Sequence, residues 1–200
     1  MIPQDQLPVT HLAIGRNLKD YSIQSDEVLF EVCNHIGEAH ALLNDSERRE
    51  MAKLNLNAAR KAITRAAFEH ALQYSLASRT MLKSIPDGIN SMFTLGVSQC
   101  LLQSLYNLAR YEEALQEAET ILQSSSNDLE VVVIGTERIR ILQSLGRNQE
   151  AYGYGMKMIQ FSGFSVPDNI WDGSQIMAMT EWYKSGIDTE KTTRVCPSQM

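Results

Sequence analysis

The sequence predicts an all-α fold, a right-handed superhelix of antiparallel helix pairs, on three observations. Apolar residues recur at helical spacing: Tyr111, Ala114, Leu115, Ala118 and Leu122 fall at i, i+3, i+4, i+7 and i+11 of one segment. Glu112, Glu113, Gln116, Glu117 and Glu119 take its opposite face, which reads as solvated. Runs of alternating apolar and polar β-branched residues are missing, and Pro3, Pro8, Pro86, Pro167 and Pro197 all avoid the long amphipathic segments. Finally, one short pattern returns. Ala66, Ala109 and Gly146 are followed two residues on by Phe68, Tyr111 and Asn148, and five residues on by Ala71, Ala114 and Ala151.

Taken in order, the first helix covers 9–18, with Val9, Leu12, Ile14 and Leu18 apolar, and Asp20-Tyr21-Ser22 ends it. Ser25 is placed to cap the next helix, with Asp26 and Glu27 at the positive end of its dipole. That helix is expected to run through Val32 and Ile36 to Leu43. Asn44-Asp45-Ser46-Glu47 offers several caps for a third, carrying Met51, Leu54, Ala58, Ala59 and Ala62 on one side. Phe68 opens a fourth through Leu82. Ser84-Ile85-Pro86-Asp87-Gly88 breaks the chain, because the residue before proline is pushed out of the helical region and glycine permits the turn.

A helix over 92–108 and one over 111–122 make the next pair, closed by the polar run 124–128. Val131-Val132-Val133-Ile134 is the one strand-like patch, but its pattern continues through Ile139, Ile141 and Leu142, so 129–145 reads as helix. A turn at Gly146 leads into 150–161. After Pro167, Ile176, Met179, Trp182 and Tyr183 mark a last amphipathic piece, a candidate cap for the end of a stack. Domain organisation is therefore 1–165 as about four helix pairs, 166–186 as a capping helix, and 187–200 as a flexible tail.

Small residue, x, aromatic, x, x, Ala at the start of a second helix is characteristic of tetratricopeptide-like repeats. Aligned on the turn, the first-helix slot that must admit a close neighbour holds Gly15, Ala59, Leu102 and Ile139. The spacing of roughly 37–44 residues exceeds the ~34 of the standard repeat, as slightly longer helices would require.

Composition narrows function. A net charge of −6 argues against bulk binding to nucleic-acid phosphates. No apolar run reaches the ~20 residues that cross a bilayer, and 1–6 lacks the basic-then-apolar pattern of a signal peptide. Cys33, Cys100 and Cys196 are odd in number and lack metal-ligand spacing, which fits a reduced cytoplasmic setting. His11, His35, His40 and His70 are too scattered in sequence for an HExxH-type site. Neither a phosphate loop nor a linked nucleophile, base and acid is visible, so no catalytic residue, cofactor or metal is expected, and the chain reads as non-enzymatic.

The sharpest surface pattern lies one residue after each small slot, where Arg16, Arg60, Gln103 and Arg140 stand. In stacked pairs these positions line the inner, concave face. Lys53, Gln99, Tyr106, Thr136 and Gln143 lie on neighbouring turns of the same helices. Such a groove suits an acidic or carboxylate-bearing peptide, since Arg binds carboxylates through two parallel hydrogen bonds. The plainer reading is that these arginines lay their stems across helix joints and form local ion pairs.

His11-Leu12-x-Ile14-Gly15-Arg16-x-Leu18, Val32-x-Asn34-His35, Ala52-x-Leu54-Asn55-Leu56-x-Ala58-x-Arg60-Lys61-Ala62 and Ala67-Phe68-x-x-Ala71-Leu72-x-Tyr74 carry a more specific likeness. They resemble the helical-repeat region that follows the AAA-type (STAND-like) ATPase of multi-sensor hybrid histidine kinases and serine/threonine kinases. The likeness covers about residues 9–165 and is strongest before residue 80. It implies a regulatory, protein-binding arm in a signalling protein, either freestanding or as a piece of such a kinase whose ATPase and kinase domains lie outside this chain. None of the matching positions is catalytic in that family.

Overall fold

A computed structural model of the chain describes residues 3, 6–22, 25–83, 91–125 and 127–161. The turn over 84–90, the helix expected over 166–186, the tail over 187–200 and Cys196 lie outside the described residues. The chain divides into two compact units, Met1–Gly155 and Met156–Met200, and of the second only the end of one helix is described.

Among the described residues every regular element is helical. The helices are α1 (Leu7–Lys19), α2 (Asp26–Glu38), α3 (Asp45–Thr64), α4 (Phe68–Lys83), α5 (Ser91–Asn107), α6 (Tyr111–Ser124), α7 (Asp128–Ser144) and α8 (Asn148–Phe161). The branched run at Val131–Ile134 sits inside α7, as its helical period requires. None of these helices is long and apolar enough to cross a membrane.

One boundary differs from the sequence reading. The second helix stops at Glu38, and a short 3-10 turn, His40–Leu42, follows instead of helix to Leu43. Ala39 and Leu43 are both buried, at 1% and 4% exposure, and Leu43 enters the core from extended backbone at φ -77° and ψ 137°, past the end of the 3-10 turn. Ser25 holds the expected cap position, yet its hydroxyl donates to Glu27 Oε2 at 2.6 Å rather than accepting from the helix backbone. The stronger start is at α3. There Asn44 Oδ1 accepts from Glu47 N at 3.0 Å while Glu47 Oε2 accepts from Asn44 N at 3.1 Å, a reciprocal capping box.

Three of the helix junctions are closed in the same way. Ala66 and Ala109 both sit at φ 57°, and Gly146 at φ 72°. At each, the turn residue's N–H donates to the carbonyl three residues back, Ile63, Tyr106 or Gln143. The next N–H (Ala67, Arg110 or Arg147) donates five back, to Ala62, Leu105 or Leu142. This is the Schellman closure of a helix, and it reverses the chain into α4, α6 and α8. Ala71, Ala114 and Ala151, the alanines five residues later, are all buried.

Consecutive helices pack on one another, α1 on α2, α3 on α4 and α5 on α6, with α2 on α3, α4 on α5 and α6 on α7 joining pairs. The odd-numbered helices also touch directly, α3 with α5 and α5 with α7. Even-numbered helices meet through aromatic and charged groups. Phe30 stacks on Tyr74 at 5.6 Å between centroids, Tyr74 Oη donates to Asn34 Oδ1 at 3.1 Å, and Arg79 of α4 pairs with Glu117 of α6. Glu119 likewise accepts from Arg138 of α7 at 2.9 Å. The outer face of α6 is therefore only partly the solvated acidic face its sequence implies. Glu112, Glu113 and Gln116 are exposed, while Glu117 and Glu119 are used to tie helices together.

Candidate functional site

The stripe of polar residues on the odd-numbered helices is laid out by helical period. Lys53 and Arg60 lie seven apart on α3, and Gln99, Gln103 and Tyr106 lie at i, i+4 and i+7 on α5. Thr136, Arg140 and Gln143 repeat that spacing on α7. Lys53, Arg60, Gln99, Gln103, Thr136 and Gln143 are exposed; Tyr106 and Arg140 are half-buried. Thr136 turns its hydroxyl back to Val132 O at 2.8 Å, a local bond that leaves the oxygen able to accept.

Two of the arginines span helix joints. Arg140 of α7 lays its guanidinium over the Tyr106 ring of α5, 4.1 Å from the centroid, and pairs with Glu137 at 2.5 Å. Ser144 donates to Tyr106 Oη at 3.0 Å on the same joint. Arg140 Nε is buried and makes no hydrogen bond among the described residues, so the ring face and Glu137 carry its stabilisation. Arg60 of α3 reaches across to α5, so close that a Cβ on Gly96 would lie 2.9 Å from its Nη2. α5 carries no charged residue between Ser91 and Asn107, so Arg60 brings a cation to a neutral helix.

Arg16 does not join this stripe. Its Nη2 pairs with Glu47 at 2.6 Å, and Lys19 pairs with Glu50 at 2.8 Å. The two contacts advance together along α1 and α3, so the helices run parallel with Arg16 level with the start of α3. Arg60 lies thirteen residues further on, about 20 Å along a helix. The alignment that put Gly15 beside Ala59 assumed that the first pair stacks like the others. Gly15 serves its own pair, since a Cβ there would collide with Ile36 Cγ1 of α2.

The joint of α2 with α3 is electrostatic. Asp26 accepts from Lys61 at 2.5 Å and from Arg65 at 2.8 Å, and Arg65 also covers the Phe30 ring at 5.4 Å. The Lys61 hydrogen bond, and then the charges of Lys61 and Arg65, hold the Asp26 carboxyl below its ordinary value. Glu47 is held low too, first by the Asn44 N–H and then by Arg16.

The two described thiols, Cys33 and Cys100, are buried and held protonated. Burial pushes Cys33 up to about 12, and it raises Cys100 as well, against the opposing pull of Arg60. A thiol held protonated is a poor nucleophile and a poor metal ligand.

Sequence reasoning missed one cluster. His11 of α1 and His35 of α2, far apart in the chain, bring their Nδ1 atoms to 2.8 Å, with ring centroids 5.0 Å apart. Glu31 Oε2 lies 3.6 Å from His35 Nε2, one turn back on the same helix. The pair borders a cavity of about 340 Å³ that Glu38, Asn34, Asn55 and Tyr74 also line. The available signal was the i, i+4 spacing of Glu31 and His35, together with the fold-back of α2 onto α1.

A second cavity of about 340 Å³ lies among α4, α5 and α6, lined by Leu72, Leu76, Leu101 and Leu105. Its charged groups are matched: Arg79 with Glu117, and Arg110 with Glu113. Among the described residues no group of three or more His, Cys, Asp or Glu side chains is arranged around a metal position. No family model matches this chain, and no curated protein or solved structure matches it.

Proposed function

We propose that this chain is a non-enzymatic protein-interaction module of the cytoplasm, a right-handed superhelix of tetratricopeptide-like pairs whose inner face docks an acidic or carboxylate-bearing peptide or a neighbouring domain. The observation that carries this reading is Arg60. Arg60 is exposed, and its guanidinium lies against Gly96 and near Cys100 on a helix without charge that also carries the exposed Gln99 and Gln103. A carboxylate meeting that surface finds a fork of donors with no resident acid on α5 to compete. The shared closures at Ala66, Ala109 and Gly146 support the repeat reading, because they give α3, α5 and α7 equivalent ends and set the entry into α4, α6 and α8.

The groove is narrower than the sequence pattern implies. Its positive members are Lys53 and Arg60, since Arg16 stands apart and Arg140 is already engaged by Glu137 and Tyr106. The likeness of residues 9–80 to repeat regions beside STAND-like ATPases leads us to assign the module to signalling. A reading frame encoding a phosphate loop upstream of Met1 would favour the second reading, a piece of a multi-sensor kinase.

Fluorescence anisotropy with a labelled hexaglutamate peptide tests the groove. Saturable, salt-sensitive binding is expected, weakened at least tenfold by Lys53→Glu with Arg60→Glu while the urea midpoint stays in place. Affinity indifferent to these changes would sink the proposal. Equal loss of binding and stability would return Arg60 to a packing role.

A further inference from the structure

We propose that His11 and His35 form a two-histidine site for a divalent transition ion of zinc's class, clasping α1 to α2. The inference is independent of the peptide groove.

A neutral imidazole carries a proton on one ring nitrogen and a lone pair on the other, so two Nδ1 atoms at 2.8 Å require that one donate and one accept. Glu31 favours one of the two arrangements electrostatically. Its carboxylate lies 3.6 Å from Nε2 of His35, beyond hydrogen-bond reach but near enough to attract a proton there, which directs the His35 Nδ1 lone pair at His11. A carboxylate behind the far nitrogen of a histidine is the usual support of a metal-ligating imidazole, because it sets the tautomer and strengthens the donor. If the His11 proton moves from Nδ1 to Nε2, a second lone pair faces the first. No net proton is then gained or lost by the pair.

A small rearrangement completes the exchange. Two imidazole nitrogens bound to one ion at about 2.0–2.1 Å stand roughly 3.0–3.4 Å apart. The rings now face one another nearly head-on, with Nδ1 atoms 2.8 Å and centroids 5.0 Å apart, so the pair opens by a few tenths of an ångström and each ring swings off the joining line. Space and charge are also suitable. The adjoining cavity of about 340 Å³ is lined by two carboxylates, Glu31 and Glu38, and by the polar groups of Asn34, Asn55 and Tyr74. Neither lysine nor arginine lines it.

Two protein nitrogens are fewer than the three or four of a structural or catalytic zinc site. The bound ion is consequently exchangeable and keeps positions for water or for a ligand supplied by a partner. Imidazole donors select zinc, copper or nickel over magnesium or calcium, which prefer oxygen. An ion that bridges α1 and α2 binds the folded chain better than the unfolded one, and so stabilises it.

The test is a thermal melt of the full chain with ZnCl2, with MgCl2 at equal concentration, and after chelation. At zinc tenfold above its Kd, a rise in Tm of about 3–6 °C is expected, reversed by chelator and absent with magnesium. His11→Asn and His35→Asn should each abolish the rise, and Glu31→Gln should weaken zinc binding about tenfold. No rise, or a rise that survives either histidine substitution, would overturn the site. Should a variant unfold, the imidazole resonances of the native chain decide: zinc must perturb His11 and His35 before His40 and His70, and the reverse order refutes the assignment.

Discussion

α3 and α7 end in one turn geometry and differ in how far their side chains are buried. In α3–α4, Ala52, Ala58, Ala59, Ala62 and Ala71 are all buried to 1% exposure or less. Small side chains let two backbones approach, and the interface is closed by a hydroxyl and an amide. Ser78 donates to Ala52 O across the pair at 2.8 Å, and the buried Asn55 donates to Met81 Sδ of α4 at 3.8 Å as well as to Met51 O of its own helix at 2.9 Å. In α7, the slot of Ala59 holds Ile139, which is only half-buried. Leu129 remains 47% exposed and Val132 38%. The turn sets chain reversal after both α3 and α7, whereas the volume of the facing side chains sets how closely α3 and α4 approach.

The largest expected contrast follows from that difference. Met51→Ala removes a side chain only 2% exposed and should cost about 2–5 kcal/mol through lost burial and a residual cavity. Val132→Ala, on the open side of α7, should change stability by about 0.5 kcal/mol or less. Urea unfolding of both variants measures the two effects directly, and similar costs would erase the distinction.

The turns should respond more modestly, and with opposite signs. Ala66 and Ala109 occupy the left-handed region that an L side chain disfavours. Ala66→Gly or Ala109→Gly should therefore stabilise the chain by roughly 0.5–1 kcal/mol, the relief exceeding the extra backbone entropy. Gly146→Ala should destabilise by about 1 kcal/mol, although nothing lies within contact of the added Cβ. Melting temperatures suffice, and a destabilised Ala66→Gly would contradict the account of these closures.

The smallest effect is electrostatic and confined to the first half. Asp26 is held below its ordinary value by Lys61 and Arg65 from another segment, and Glu47 first by the Asn44 N–H beside it and then by Arg16 of α1. A lowered carboxyl contributes stability that is present above the unfolded-state value and is lost as pH falls through the folded one. The urea midpoint should thus fall from pH 5 toward pH 3, and Asp26→Asn should remove part of that slope. Glu113 and Glu150 are lowered as well, but by Arg110 and Arg147 only three residues away. Replacing these should leave the slope nearly unchanged, because an exposed pair within one turn adds little that depends on the fold.

Helix content, the turns and the buried alanines could be read in the chain because each rests on neighbours within five residues. The end of α2 at Glu38 could not, since Leu43 is drawn inward by partners elsewhere in the core. Glu117 and Glu119 looked like solvent-facing acids until Arg79 and Arg138 arrived from other helices. Arg16 was misjudged for the same reason. Its offset from Arg60 in sequence repeats the spacing of the other pairs, but the slide of α1 along α3 depends on Glu47 and Glu50.

By itself, the order of residues determined that this protein is built of helices, where three of them reverse, and which small side chains face inward. Those outcomes depend on backbone periodicity and on hydrogen bonds that close locally. Only the tertiary structure decided the register of α1 against α3, the covering of Tyr106 by Arg140, and the meeting of His11 with His35. Each joins groups more than twenty residues apart, and its geometry follows from how side-chain volumes and ion pairs fit after the helices have formed.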